Sequence, residues 1–234
     1  MPVNEFDSYT RQYRRIINEV SRISGENYEF FIRLRVSLMK YRLTKTDAYP
    51  GVRRILDFGC GIGATSEILE AAFPQATIMG VDSSEESIIE ARSLGLRRTE
   101  FIYGGDGVLP LAENSIDVVY SNGVFHHIIP ESRTAALRKL YNVVRPNGHI
   151  FIFENNPANP LMMRAMAKNP FDANAQTIFP RELSSLIEDC GFRILQTPYY
   201  FLFPHCLRFL RWSEPMFERL PLGAQYFVWA LSKK

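Results

Sequence analysis

A chain of 234 residues with 46% hydrophobic content can build one large domain around a proper core, and a net charge of only +2 excludes a strongly basic or acidic protein. The basic excess is confined to residues 1–54, where 11 Lys/Arg face 6 Asp/Glu; with no dense basic stripe and no reader motif, no nucleic-acid partner is expected. The start MPVNEFDSYTRQYRR carries acids where a signal peptide would be basic, and no later run reaches the ~18 apolar residues of a membrane span, so a cytoplasmic protein is expected. Cys60, Cys190 and Cys206 are odd in number and lack metal-type spacing, which suits reduced thiols and indicates no metal.

In chain order, Phe6, Tyr9, Tyr13, Ile16 and Val20 recur at helical spacing, and Phe31, Leu34, Leu38 and Tyr41 repeat the pattern after Gly25. Two amphipathic helices therefore form a helical cap over residues 1–48, ahead of a core over residues 49–234. Within the core, short apolar runs alternate with helical patterns: RRILDF, a helix to Phe73, ATIMGVD, a helix from Ser84, and TEFIYGGD. That alternation predicts βαβ units and a parallel sheet. SIDVVYSN supplies a fourth strand, and a helix from Glu131 to Val144 stops at Arg145-Pro146-Asn147-Gly148 before the strand HIFIFE. A Pro- and Asn-rich stretch from Asn155 to Phe179 follows, then a helix from about Arg181 to Cys190, and two runs near FRILQTPYYFLF and QYFVWALS.

The stretch ILDFGCGIGATSEIL, Ile55 to Leu69, carries three alternate glycines between a strand and a helix. Such a turn presents backbone N–H groups to a ligand, and glycine permits close approach. Gly59-x-Gly61-x-x-Ala64, with Asp82 about 20 residues on, also satisfies the dinucleotide fingerprint, so NAD(P) and an oxidoreductase stay open as an alternative. Against that stand Asp57, which can pair with an ammonium that NAD lacks, Gly63 as a third glycine, and Asp106 after the third strand.

With DFGCGIGATS, GVDSS, GGDGVLPLAENSIDVVYSNGVFHHI and VVRPNGHIFIFE in order, the sequence resembles the class I methyltransferases that use S-adenosylmethionine (SAM), particularly the small-molecule type 11 and ubiquinone-biosynthesis-like groups. The resemblance spans roughly Arg53 to Glu154. It implies a Rossmann-like α/β fold: a seven-stranded, mostly parallel sheet with an antiparallel last strand, here QYFVWALS, and helices on both faces. It further implies that Asp57, Gly59, Gly61 and Gly63 surround the methionine portion of SAM, that Asp82 binds the ribose, and that Asp106 meets the adenine amino group. Ser83 and Gly107 would flank the adenine, Ser121 would lie near the methionine end, and the likeness of EFDSYTRQY to related entry helices points Tyr9 and Tyr13 toward the ligand.

Methyl transfer from a sulfonium is an in-line displacement, so the protein gains most by holding the nucleophile against the methyl and excluding water. His126 and His127, after the fourth strand, are candidate bases on the side where open α/β sheets bind ligands. Glu154 ends the fifth strand, with Asn155 and Asn156 beside it as hydrogen-bond partners for an acceptor. The long connection after it, with Met162, Met163 and Met166, is expected to wall the acceptor site. YYFLFPHCLRFLRWSEPMF, with Arg208 and Arg211, suits a cover over a lipophilic acceptor or a peripheral membrane contact. The expected activity is transfer to a small-molecule or lipid-like acceptor with release of S-adenosylhomocysteine (SAH); a SAM-binding protein without turnover is a third reading.

Overall fold

The structure, a computed structural model, describes residue 16, residues 18–19 and residues 21–234, apart from the side chains of Ile23 and Asp106. Tyr9 and Tyr13, and with them most of the first expected helix, lie outside the described residues. The second expected helix is α1 (Tyr28–Lys45), opened by Asn27, whose side chain accepts from Phe30 N–H at 2.8 Å. Of the expected row, Phe31, Leu34 and Leu38 are partly buried and pack against the core, but the most deeply buried row lies beside it. Ile32, Arg35, Val36, Met39 and Leu43 face inward, whereas Tyr41 stands in solvent. Apolar residues surround much of this helix, so periodicity does not choose a face; packing against Ile55, Leu69 and Phe73 does.

Eight strands form one sheet: β1 (Arg54–Phe58), β2 (Thr77–Asp82), β3 (Thr99–Tyr103), β4 (Ile116–Asn122), β5 (Val144–Asn155), β6 (Phe192–Gln196), the two-residue β7 (Tyr199–Tyr200) and β8 (Gln225–Ser232). The order is β3-β2-β1-β4-β5-β8-β6, with β7 also pairing to β8. Strands β1 to β5 pair in parallel, and β8 runs antiparallel to both β5 and β6. The seven-strand expectation thus holds along the main path. The run FRILQTPYYFLF breaks after Gln196, because Pro198 has no N–H for a ladder, and resumes only as β7 before Phe201 turns with φ +57°.

Both sheet faces are covered. Ile55, Val118, Phe151 and Phe227 pack beneath α1 and α2 (Ala64–Ala72), while Leu56, Val119, Ile152 and Val228 meet α4 (Pro130–Val143) and α6 (Pro180–Asp189). Neighbouring residues on each strand go to opposite faces, so two-sided burial accounts for the unbroken apolar runs. Each such fully buried side chain contributes about 1.5–3 kcal/mol. At RPNG the structure departs from the expected loop: β5 already begins at Val144, with Val144 opposite Ile116 and His149 opposite Val118. The surplus residues bulge out at Asn147, φ +57°.

The Asn155–Phe179 connection is ordered by two Asn-Pro pairs. Asn159 accepts from Leu161 and Met162 N–H to start α5 (Pro160–Met166), and Asn169 accepts from Phe171 N–H to start a single turn at Pro170–Asp172. Proline at the first helical position fixes φ where no N–H is needed. The chain order reverses between β1 and β4, and at such a switch point a crevice opens beyond the carboxyl ends of the strands.

Candidate active site

The three glycines after β1 have different tasks. Gly59 (φ +76°) closes the turn, its N–H donating to Val81 C=O at 2.8 Å, and an added Cβ would sit 2.2 Å from Val124 Cγ2. Gly61 (φ +51°) has nothing within 4 Å of where its Cβ would be, so its backbone borders open space. Gly63 (φ +81°) is the N-cap of α2 and packs against Phe101 and Leu94, where a Cβ would come within 2.8 and 2.9 Å. Left-handed backbone costs glycine least, and at Gly59 and Gly63 a side chain would also collide.

The open space at Gly61 is one end of a cavity of about 850 Å³. Asp82 closes β2 at its rim: one carboxylate oxygen accepts from Gly61 N–H at 2.8 Å and the other from Ser84 N–H at 2.9 Å. Ser83 and Gly107 border the same end. The backbone of Gly105–Gly107 forms a single turn there, but the side chain of Asp106 lies outside the described residues. Asp57 is buried behind the loop, accepting from Ser66 Oγ at 2.7 Å. Burial pushes its carboxyl up to about 7; the Ser66 bond opposes this and the charge of Asp82 adds to it. Ser121, beside Phe58 across the β1–β4 ladder, is fully buried, and its Oγ has no hydrogen-bond partner.

Past the fourth strand, His126 is locked between two carboxylates. Its Nδ1 lies 2.5 Å from Glu154 Oε2 and its Nε2 3.4 Å from Asp172 Oδ1. Glu154 also accepts from Phe125 N–H at 2.8 Å, so it braces the histidine turn from beneath. Burial opposes a charge on His126, but Glu154 and Asp172 outweigh it and raise its pKa to about 10. His127 stacks on His126 with ring centroids 4.2 Å apart, and its Nε2 is 3.6 Å from Asp172. Burial first, then the neighbouring His126 charge, lowers His127 to about 4. The two candidate bases therefore differ at pH 7: His126 is an imidazolium and His127 is neutral. Ligand atoms of His126, His127 and Asp172 lie within 4.8 Å of one another, close enough to share a cation, while in a protonated His126 the Nδ1–H faces Glu154 and the Nε2–H faces Asp172.

Of the amides beside Glu154, Asn155 accepts from Gln225 Nε2 at 2.9 Å on the cavity wall. Asn156 instead donates to the Pro221 and Gly223 carbonyls, holding the loop before β8, and does not reach the cavity. Met162 and Met166 line the far end with Phe31, Phe171 and Phe201; Met163 does not. Two wall residues had no sequence expectation. Asp172 is brought in by the Asn169-Pro170 turn, and Arg35 projects from the buried row of α1. A lone charge in an otherwise apolar row at helical spacing is the signal that points to Arg35.

A glycine-lined end with a strand-terminal acid at its rim is the donor half of a nucleoside-binding site on a Rossmann-like sheet. Residues 56–152 match the methyltransferase domain family, and with the sheet that carries them they form a domain of the class I SAM-dependent methyltransferase type. Among curated relatives, the malonyl-[acyl-carrier protein] O-methyltransferase of Methylococcus capsulatus is 34% identical over 103 residues, 43% of this chain and 37% of that one. The trans-aconitate 2-methyltransferase of Deinococcus radiodurans is 32% identical over 106 residues, 45% of this chain and 38% of that one. The crystal structure of a SAM-dependent methyltransferase from Aquifex aeolicus shares the fold, with a TM-score of 0.61 at 17% identity over 96% of this chain and 97% of that one. The chain spans from about a third to three fifths of the length of the curated relatives it matches.

The residues present fit SAM, the cofactor of that family. Gly61 leaves room for a ligand against its backbone and Asp82 offers a carboxylate at the rim, whereas Asp57 and Ser121 are buried beneath and do not line the cavity.

Proposed function

We propose that the chain transfers the methyl group of SAM to a small-molecule or lipid-like acceptor and releases SAH. The observation that supports this best is the single cavity lined both by the glycine turn and Asp82 and by methionine and aromatic side chains. Bound SAM supplies an electrophilic methyl on a sulfonium. Asp82 would hold its ribose, the Gly59–Gly61 backbone its amino-acid end, and Ser83 and Gly107 its adenine. Tyr9, Tyr13 and Asp106 keep the roles that the family likeness implies for them.

On the acceptor side, the apolar wall excludes water, which sharpens every charge inside. His127 stays neutral at pH 7 and is the member of the pair able to accept a proton from an acceptor hydroxyl or amine. His126, Glu154 and Asp172 act as positioning residues that fix the orientation of that ring. The likeness to the trans-aconitate 2-methyltransferase named above favours a small acid as acceptor. On the segment before β8, Phe209, Trp212 and Met216 are exposed, a face suited to peripheral membrane contact. Residues 1–48 would act as a cap over the cavity of the 49–234 core, as Ser24, Tyr28 and Phe31 on the wall suggest.

The test is incubation with methyl-labelled SAM and a fractionated cell extract. Label in the small-molecule or lipid fraction is the expected result. Label in RNA or protein would contradict the acceptor class, and no transfer at all would favour a binding protein without turnover.

A further inference from the structure

Among the described residues, Arg35 is a buried cation without an anion. It is 6% exposed, and among the described residues no carboxylate lies within ion-pair distance of it. Its hydrogen-bond partners among the described residues are neutral: Nε donates to the Tyr200 hydroxyl at 3.1 Å and Nη2 to Gln225 Oε1 at 3.1 Å. A guanidinium has five N–H donors in a planar fork. Two are used, and the rest have no acceptor among the described residues although the side chain borders the cavity.

Burying a charge without an opposite charge is costly, and guanidinium cannot relieve the cost by losing its proton. A methionine or leucine would fill this row of α1 at less cost, since buried ion-forming residues are commonly replaced by apolar ones without loss of stability. The position also suits anion capture. Tyr200 and Gln225 hold the fork from one side, Gln225 is itself held by Asn155, and the Phe31 ring lies 5.8 Å from the guanidinium carbon. The fork is therefore oriented before a ligand arrives, and the unused donors match the two oxygens of a carboxylate.

We propose that Arg35 is the carboxylate-binding residue of the cavity, so that the site takes a ligand with an anionic head and an apolar body. This rests on the methyl-transfer reading and narrows its acceptor class. A carboxylate can come from two sources, the acceptor or the amino-acid end of SAM, and the experiment separates them.

Calorimetric titrations compare wild type with Arg35→Met. In the first arm octanoate and octanol are added to protein saturated with SAH. Wild type is expected to bind octanoate at least tenfold more tightly than octanol, and the variant to lose that preference, which assigns the carboxylate to the acceptor. In the second arm SAH is compared with 5′-methylthioadenosine, which lacks the amino-acid end. A loss of tenfold or more for SAH alone in Arg35→Met would assign the carboxylate to the donor, and Arg35 would still be its receptor. A variant that melts cooperatively yet binds octanoate and SAH as wild type does would overturn the proposal. Should Arg35→Met not melt cooperatively, Arg35→Lys keeps the charge and loses the fork; wild-type affinities there would overturn it equally. Absence of SAH binding to wild type, with octanoate binding still dependent on Arg35, would instead defeat methyl transfer and leave the anion site standing.

Discussion

The Nδ1 of His126 lies 2.5 Å from Glu154 Oε2, and this buried contact ties the turn after β4 to the end of β5. It joins the two strands that carry the cavity's central wall. Removing one partner leaves the other charge buried, which in comparable pairs costs about 3–5 kcal/mol. Glu154→Gln is expected to lower stability by an amount of that order and to reduce turnover through a misplaced His127. Equilibrium denaturation checks the first effect, and kcat with unchanged SAM affinity checks the second.

The same contact makes stability depend on pH. The folded pKa of His126, about 10, exceeds the unfolded value near 6.5. Its contribution is therefore fully present below about pH 6.5 and lost as pH rises toward 10. Denaturation midpoints should fall across that window in wild type, and the fall should be smaller in His126→Gln. Equal slopes in the two proteins would contradict the ion-pair assignment.

A second histidine works in the opposite direction. His149 Nδ1 accepts from Trp229 Nε1 at 3.1 Å, and burial, reinforced by the Arg145 charge, lowers its pKa to about 4. A folded pKa below the unfolded one means that stability is present above about pH 6.5 and declines as pH falls toward 4. In a Trp212→Phe background, Trp229 fluorescence should shift over that range before global unfolding. No shift above the unfolding midpoint would show that the ring is not titrating there.

Glycine substitutions separate fold from binding. Gly59→Ala would drive its Cβ against Val124 at φ +76°, and a loss of more than 2 kcal/mol is expected. Gly61→Ala meets no neighbour, although its φ of +51° still costs about 1 kcal/mol. It should fold with reduced SAH affinity, measurable by calorimetry.

The exposed aromatic face predicts a lipid response. Trp212 is 78% exposed, so its emission should shift to the blue on vesicles, and further on anionic than on neutral ones because the exposed Arg208 lies on the same segment. Trp212→Ala with Phe209→Ala should lower vesicle binding several-fold while leaving the melting temperature near wild type.

The glycine turn was legible in the sequence because it is local. Gly59, Gly61 and Asp82 come to the cavity wall through backbone angles and a strand end, which spacing reveals. Residues that depend on long-range packing were not legible. Asp172 reaches His126 only after two Asn-Pro turns fold the connection back, and Arg35 faces the cavity only because α1 buries Ile32 and Met39 instead of Tyr41. Glu154 looked like an acid at an open strand end, yet it is 3% exposed, since β8 and the histidine turn close over it. Asn156 looked like an acceptor contact and serves the loop before β8, because its amide meets two carbonyls 65 and 67 residues away.

The central claim is that the glycine turn and Asp82 hold SAM. Calorimetric titration of SAH and of NAD into wild type and Asp82→Ala tests it directly. SAH should bind wild type and weaken at least tenfold in the variant, the loss of about 1.5–3 kcal/mol that accompanies a charged hydrogen bond, while NAD binds neither. Tight NAD binding that depends on Asp82, with no binding of SAH, would contradict the account.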